Sequence, residues 1–211
     1  MVEAVIWDFG GVLTTSPFKA FARFEKERGL PVDIIRRTNA ANHFENAWAK
    51  FERAEVDLDT FDTLFAAESL VLGAEVRGRD VVSLLSGDPR PEMVEALRRV
   101  KQHFKTGCIT NNLPANAIGS SGGRALYVAE TMALFDHVIE SAKIGLRKPD
   151  PRIYRMMVDA LGVDPNNCVY LDDLGVNLKP ARAMGMKTIK VTDHGEAIKE
   201  LEGILGLELT R

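Results

Sequence analysis

The chain has 211 residues, of which 45% are hydrophobic and 27% are charged. This length suits one domain with an added sub-domain, because a chain of this size can bury a large core. The 27 Lys and Arg residues against 30 Asp and Glu residues give a net charge of −3. A chain without a basic excess lacks the surface that binds phosphate backbones, so we expect no nucleic-acid partner.

The sequence also argues against a membrane protein and against a disulfide-bonded one. No apolar run approaches the roughly 18 residues of a membrane span, and residues 1–4 lack a basic segment before an apolar one. Cys108 and Cys168 each lie inside a short apolar run, which predicts unpaired core thiols in a reducing compartment. We therefore expect no membrane association and a cytoplasmic location. The number of subunits stays open between a monomer and a homodimer.

Five short runs rich in branched or aromatic residues are spaced along the chain, and each predicts a β-strand. They are Val2–Asp8, Lys105–Thr110, His137–Glu140, Cys168–Asp172 and Lys187–Val191. Amphipathic stretches of helical length separate the later four, which is typical of a parallel sheet with crossover helices on both faces. The predicted fold class is therefore α/β, with a Rossmann-like parallel sheet as its core.

Turn and cap residues place helices between these strands. Asp150 before Pro151 predicts a helix start, since Asp caps helices and Pro suits the first helical position. The segment Asp88–Pro91 predicts another helix start, and Gly185 after Met184 predicts a helix end.

The first and second predicted strands are separated by more chain than a crossover helix requires. Residues 16–87 show an entirely helical pattern, with aromatic residues at helical spacing. We therefore predict an α/β core of residues 1–15 and 88–211, with an all-helical cap of residues 16–87 inserted after the first strand. The cap should lie over the carboxyl ends of the strands, where ligands bind in open α/β sheets. Most of its aromatic residues should form its own core, with one or two facing the substrate.

Polar groups follow the first two strands at their predicted carboxyl ends. Asp8 comes directly after the apolar part of the first strand and is followed by Gly10 and Gly11. Two glycines let backbone N–H groups turn toward an anion beside the carboxylate. Thr110 and Asn111 end the second strand, and their hydroxyl, backbone and carboxamide groups suit a phosphoryl oxygen. This edge of the sheet is therefore a candidate phosphate site.

Charged groups follow the later strands. Lys148 lies in a loop before Pro149, which biases the lysine backbone away from helical geometry. Asp172 and Asp173 are adjacent at the end of the fourth strand, where two carboxylates repel each other unless a cation lies between them and Asp8. Magnesium is the predicted cation, because it takes hard oxygen ligands and binds through one or two carboxylates.

The order Asp, Thr-Asn, Lys-Pro and Asp-Asp at successive strand ends resembles the haloacid-dehalogenase-like superfamily of phosphohydrolases over essentially the whole chain. Two segments, Ile139–Pro149 and Tyr170–Arg182, carry the most specific part of the resemblance. They look most similar to the N-terminal phosphatase domain of soluble epoxide hydrolases and to comparable domains fused to some acyl-CoA dehydrogenases. The resemblance implies the fold of that superfamily, including a helical cap after the first motif.

The resemblance also implies a metal site. Asp8 would bind magnesium together with the backbone carbonyl of Gly10 and the side chain of Asp173. Asp172 would lie nearby, and Asn177 would steady the loop that follows the fourth strand.

A phosphoryl site is implied in the same way. Asp8 would be the nucleophile that attacks phosphorus and becomes an aspartyl phosphate, which water then hydrolyses. Thr110 and Asn111 would hold the transferring group beside the backbone of Gly10 and Gly11. Lys148 would neutralise the charge of this group and of the nucleophile. The implied substrate is a small phosphorylated molecule.

One position departs from the superfamily. Most of its phosphatases have a second Asp two residues after the nucleophile, which protonates the leaving alcohol and later activates the water, whereas this chain has Gly10. Such an acid–base group contributes typically about 10²–10⁴-fold in rate. We therefore expect a slow magnesium-dependent phosphatase that is better on aryl or acyl phosphates than on alkyl phosphates.

Two other functions stay open at the level of the sequence. A domain that binds metal and phosphate without turnover would act as a sensor or partner module. A metal-independent 2-haloacid dehalogenase also lacks the second Asp, but it needs neither the Asp172–Asp173 pair nor the phosphate-suited glycines. Tight ligand binding without phosphate release would indicate the first function, and activity that survives chelation would indicate the second.

Overall fold

The computed structural model describes residues 1–114 and 123–210. Within these residues the chain forms a five-stranded parallel sheet with the strand order β3-β2-β1-β4-β5. The strands are β1 (Ala4–Trp7), β2 (Lys105–Thr110), β3 (His137–Glu140), β4 (Cys168–Asp172) and β5 (Lys187–Lys190). The five predicted strands are thus confirmed, and only the first and the last are shorter than predicted.

Successive side chains of a strand point to opposite faces of the sheet, and an apolar layer covers each face. In β1, Val5 and Trp7 pack into one apolar layer, and Ala4 and Ile6 pack into the other. Helices α6 (Pro91–Val100) and α11 (His194–Leu205) contribute to the first layer, and α9 (Pro151–Leu161) and α10 (Gly175–Ala183) contribute to the second. The predicted α/β class, with a Rossmann-like parallel sheet, is confirmed.

Two further α-helices belong to this part of the described chain, namely α7 (Gly123–Met132) and α8 (Ser141–Ile144). The predicted start of α9 is confirmed: the side chain of Asp150 accepts a hydrogen bond from the backbone N of Arg152. Cys108 and Cys168 are buried and unpaired. Among the described residues, none of the helices combines the length and hydrophobicity needed to span a bilayer.

The segment between β1 and β2 is helical. Its helices are α1 (Phe18–Glu27), α2 (Ile34–Ala40), α3 (Ala47–Glu52), α4 (Leu58–Val71) and α5 (Gly78–Ser83). They pack around their own apolar cluster, in which Phe51 stacks on Phe61 with ring centroids 4.4 Å apart. Leu113, which follows β2, joins the same cluster. Phe44, in contrast, is 55% exposed.

A narrow neck connects this helical segment to the sheet. Thr14 and Pro89 form an antiparallel bridge, and the backbone N of Thr15 donates to the O of Asp88 over 2.8 Å. The backbone N of Asp88 donates in turn to Oγ1 of Thr15 over 2.8 Å. The helical segment therefore leaves and rejoins the sheet at adjacent points.

Candidate active site

Asp8, Lys148 and Asp172 meet at the carboxyl ends of the central strands. The Nζ atom of Lys148 lies 2.8 Å from Oδ1 of Asp8 and 2.8 Å from Oδ2 of Asp172. The backbone N of Phe9 also donates to Oδ1 of Asp8, over 2.7 Å. Because both partners use Oδ1, no donor among the described residues occupies Oδ2 of Asp8. That oxygen is therefore the one able to attack a substrate.

The carboxylate of Asp172 is committed to neighbouring protein groups. Besides Lys148, it accepts hydrogen bonds from the hydroxyl of Tyr170, from the backbone N of Leu174 at 2.8 Å and from Nδ2 of Asn177 at 3.1 Å. Both of its oxygens take part in these bonds. The geometry therefore favours Asp172 as the group that holds Lys148 rather than as a direct metal ligand.

Asp173 lies against the backbone of Gly11. A β-carbon on Gly11 would overlap Oδ2 of Asp173, and Gly11 has a φ of +79°, which other residues rarely adopt. Gly11 thus allows the Asp173 carboxylate to approach the segment that follows Asp8. At Gly10, in contrast, a β-carbon would have no atom within 4 Å. The position that lacks the second Asp therefore has room for a side chain.

Asn111 contacts the Lys148 backbone with both ends of its carboxamide. Its Nδ2 donates to the O of Lys148 over 3.0 Å, and its Oδ1 accepts from the N of Lys148 over 2.8 Å. The family resemblance gives Asn111 a role at the phosphoryl group, whereas this side chain orients the lysine. Thr110, the last residue of β2, is 7% exposed and lies on the strand next to β1.

The cluster contains more negative than positive charge, with three carboxylates around one ammonium. Burial raises the pKa of Asp8 well above its usual value, although Lys148 opposes this rise. Burial, followed by repulsion from Asp172, raises the pKa of Asp173 from 3.8 to about 6. Burial alone would lower the pKa of Lys148, but Asp172 and Asp8 outweigh it and raise the pKa. The ammonium therefore stays protonated and cannot balance all three acids.

A divalent cation fits this arrangement. One oxygen from each of Asp8, Asp172 and Asp173 lies within 4.8 Å of the others. Carboxylate oxygens are ligands that magnesium prefers, and a doubly charged ion would balance the excess negative charge. Since protein donors occupy Asp172, the side chains of Asp8 and Asp173 are the ones that would hold the ion. The family resemblance implies the backbone carbonyl of Gly10 as a further ligand of the ion.

Two residues near the site were not predicted from the sequence. Tyr170 could have been found, since it lies two positions before Asp172 in a strand and so shares its face. Arg147 forms an ion pair with Glu52 of α3, with 2.6 Å between Nε and Oε2, across 95 positions of the chain. No local pattern signals a contact between residues so far apart.

Comparison with known proteins assigns the family. A family model described as haloacid dehalogenase-like hydrolase matches residues 2–185. The chain belongs to this family. The resemblance stated from the sequence is confirmed, because the family model spans both the segment around Asp8 and the paired acids.

Two curated relatives of this haloacid dehalogenase-like hydrolase are similar over nearly the whole chain. Bifunctional epoxide hydrolase 2 of Sus scrofa is 43% identical over 99% of this chain, which spans 40% of that protein. Phosphatase MT3486 of Mycobacterium tuberculosis is 30% identical, with 92% of this chain and 89% of that protein covered. The chain thus spans less than half of the first relative but most of the second.

A solved structure shows the same fold. It is a haloacid dehalogenase family enzyme from Bacteroides thetaiotaomicron in complex with magnesium and inorganic phosphate. The TM-score is 0.60 at 15% identity, with 90% of this chain and 94% of that chain covered. At this level of identity the similarity concerns the fold alone.

Proposed function

We propose that this haloacid dehalogenase-like hydrolase is a magnesium-dependent phosphatase of small phosphorylated molecules. The proposal depends mainly on the Lys148 ammonium, which lies 2.8 Å from both Asp8 and Asp172. Phosphoryl transfer relies chiefly on positioning and on stabilisation of charge, and this cluster offers a nucleophile, a buried cation and acids for a metal. The similarity to phosphatase MT3486 over most of both chains supports the same class of reaction.

In the first step, Oδ2 of Asp8 bonds to phosphorus while the bond from phosphorus to the leaving oxygen breaks. Lys148 stays protonated and offsets charge on the phosphoryl oxygens, and the hydroxyl of Thr110 donates a hydrogen bond to one of them. When bound, magnesium would supply further positive charge to the same oxygens. Asn111 contributes by orienting the backbone of Lys148.

In the second step, water attacks the phosphorus of the aspartyl phosphate, and the bond to Oδ2 of Asp8 breaks. Phosphate leaves and the carboxylate is restored. Gly10 provides no side chain to protonate the leaving oxygen or to accept the proton of the water, so these protons exchange with solvent. Leaving groups that are stable as anions, such as aryloxides and carboxylates, should therefore react fastest.

The helical segment of residues 16–87 is proposed to act as a cap over this site. Two contacts support this role: Leu113 joins the apolar cluster of the segment, and Arg147 pairs with Glu52. The proposed location is the cytoplasm, where the buried thiols would stay reduced.

The decisive experiment measures phosphate release from 4-nitrophenyl phosphate with magnesium. Asp8→Asn removes the nucleophile, and a chelated sample removes the metal. Asp159→Asn, an exposed acid on α9, serves as a matched control that should retain full activity. Release that requires both Asp8 and magnesium would support the phosphatase, whereas equal release from Asp8→Asn would contradict it.

Two alternatives have distinct outcomes in the same experiment. Binding of magnesium and phosphate without turnover would indicate a binding module, which the absence of a side chain at Gly10 favours. Halide release from a 2-haloacid that survives chelation would indicate a dehalogenase. The excess of carboxylates at Asp8, Asp172 and Asp173 argues against the latter, because a metal-free reaction leaves that charge unbalanced.

A further inference from the structure

The side chain of Arg147 is almost enclosed between the sheet and the helical segment. It is 15% exposed, and its partner Glu52 is 8% exposed. Nε of Arg147 lies 2.6 Å from Oε2 of Glu52, and Nη1 donates to the backbone O of His43 over 2.7 Å. Arginine suits such a site because its planar guanidinium can donate to two partners in a defined geometry.

Glu52 is itself oriented by a second donor. Nε1 of Trp48 donates to Oε1 of Glu52 over 2.8 Å, so both carboxylate oxygens are engaged. A buried ion pair of this kind contributes little net stability, because removal of two charges from water costs about as much as their attraction returns. The ion pair therefore matters more for the positions of the side chains that it joins than for the stability of the fold.

The neighbouring residue in the chain points toward the site. Lys148 places its ammonium 2.8 Å from Asp8 and from Asp172, and Asn111 holds its backbone on both sides. Adjacent residues of one loop thus contact the helical segment and the reacting groups. A shift of the helical segment would move Arg147 and, through the shared backbone, Lys148.

We propose that Arg147 is a positioning residue that couples the helical segment to the Lys148 ammonium. The proposal rests on the proposed phosphatase function, in which Lys148 offsets charge on the transferring group. When the Arg147–Glu52 contact is present, the ammonium lies where the phosphoryl oxygens need it. When the contact is broken, the loop shifts and charge stabilisation falls. Binding of a phosphoryl group at Lys148 should in turn change the surroundings of Glu52 and Trp48.

Steady-state kinetics test the effect on the reaction. Arg147→Gln should lower kcat for 4-nitrophenyl phosphate about tenfold to a hundredfold, with a smaller change in KM, because misplaced catalytic groups cost rates of this order. Arg147→Lys keeps the charge and should recover part of the loss. Arg23→Gln, which removes an exposed ion pair with Glu27 in the same segment, should stay within about twofold of the wild type.

Trp48 fluorescence tests the coupling without turnover. The chain has two Trp residues, so a Trp48→Phe variant identifies the share of the emission that belongs to Trp48. Addition of magnesium and inorganic phosphate should change this emission in the wild type and in Arg23→Gln. The change should be lost in Arg147→Gln and reduced in Arg147→Lys, while thermal melting shows that each variant is folded.

The outcomes separate this proposal from the proposed function. If calorimetry shows phosphate binding but the Trp48 response is absent, or persists in Arg147→Gln, the coupling is overturned. If kcat is unchanged in Arg147→Gln, the ion pair only anchors the helical segment and the coupling is also overturned. A Trp48 response that depends on Arg147, in a protein that releases no phosphate, would support the coupling and contradict the phosphatase. Absence of phosphate binding would overturn both.

Discussion

At the scale of single residues, Gly10 and Gly11, which follow Asp8, differ in whether the structure requires glycine. Gly11 is needed for its backbone, since its φ is +79° and Asp173 lies where its β-carbon would be. Gly10 is free of such constraints, because no atom lies within 4 Å of its missing β-carbon. The structure therefore tolerates a side chain at one position and excludes it at the other.

Gly10→Asp should create the missing acid–base group. We expect the rate on an alkyl phosphate to rise by about 10²-fold or more, and the rate on an aryl phosphate to rise much less, since only the alkoxide needs protonation. Release of phosphate from both substrates under saturating magnesium measures the difference. Gly10→Asn fills the same space without an acid and should give no comparable gain. An alkyl phosphate rate that does not rise in Gly10→Asp would show that another step limits turnover.

Gly11→Ala should damage the site. The methyl group would displace Asp173, and an alanine in left-handed geometry costs roughly 1–2 kcal/mol. We expect weaker magnesium binding and a lower free energy of unfolding, measured by calorimetry and by urea denaturation. Gly203→Ala on α11, where a β-carbon meets no atom within 4 Å, is the matched control. Unchanged magnesium affinity in Gly11→Ala would refute the close approach of Asp173.

At the scale of elements, α9 begins directly after the loop that carries Lys148. The side chain of Asp150 caps this helix by accepting from the backbone N of Arg152. It also pairs with the Arg152 guanidinium, with 2.6 Å between Nη2 and Oδ2. The start of α9 is therefore held by two contacts within Asp150–Arg152, two residues after Lys148.

Asp150→Ala should lower the free energy of unfolding by about 1 kcal/mol, the usual value of an N-cap. The hydrogen bond from the Arg152 side chain holds the pKa of Asp150 below its usual 3.8. A carboxyl whose folded pKa is depressed contributes stability above its unfolded pKa and loses it as pH falls through the folded pKa. Urea denaturation should therefore show the full difference near neutral pH and a shrinking one in acid. A difference that is independent of pH would argue against the cap.

At the scale of the whole molecule, the site concentrates negative charge at the centre of the sheet. Asp8 and Asp172 are 7% and 0% exposed, and both follow or end strands that other strands flank on each side. The folded state therefore carries an electrostatic cost that the unfolded chain does not. A ligand of opposite charge should relieve it.

Magnesium should accordingly stabilise the protein. A ligand that binds only the folded state at a hundred times its Kd adds about 2.7 kcal/mol, so the Tm should rise with magnesium and fall on chelation. Differential scanning calorimetry measures the shift. Asp173→Asn should lose most of it, whereas the exposed Asp159→Asn variant should keep it. An equal shift in Asp173→Asn would place the ion elsewhere.

The parts of this structure that follow from local patterns could be predicted from the sequence. Strand β2 was predicted with its observed bounds, since its boundaries depend on hydrophobic runs and turn residues. The proximity of Asp8 and Asp172 also followed, because parallel strands bring their carboxyl ends to one edge. The position of Lys148 beside them was implied by the family resemblance, since this residue lies in the loop after α8. The resemblance implied Asp173 as the metal ligand with Asp172 nearby. The donors that occupy the Asp172 carboxylate could not be predicted, since adjacent acids look alike in a local pattern.

Contacts that depend on tertiary packing could not be predicted from the sequence. The contact between the carboxamide of Asn111 and the Lys148 backbone, 37 positions away, was not predicted. Likewise, the partner of Arg147 lies 95 positions away on a different helix. Neither pairing changes the periodicity or composition around these residues, so neither leaves a local signal.

The neck at Thr14 and Pro89 has a consequence for how such proteins diversify. Because the chain leaves and returns at one hydrogen-bonded bridge, the ends of the intervening segment are joined whatever its size. The entropy of closing a loop grows only slowly with length, so segments of different size could be exchanged at this point with little effect on the register of β1 and β2. A different helical segment could therefore be joined to the same sheet at this junction.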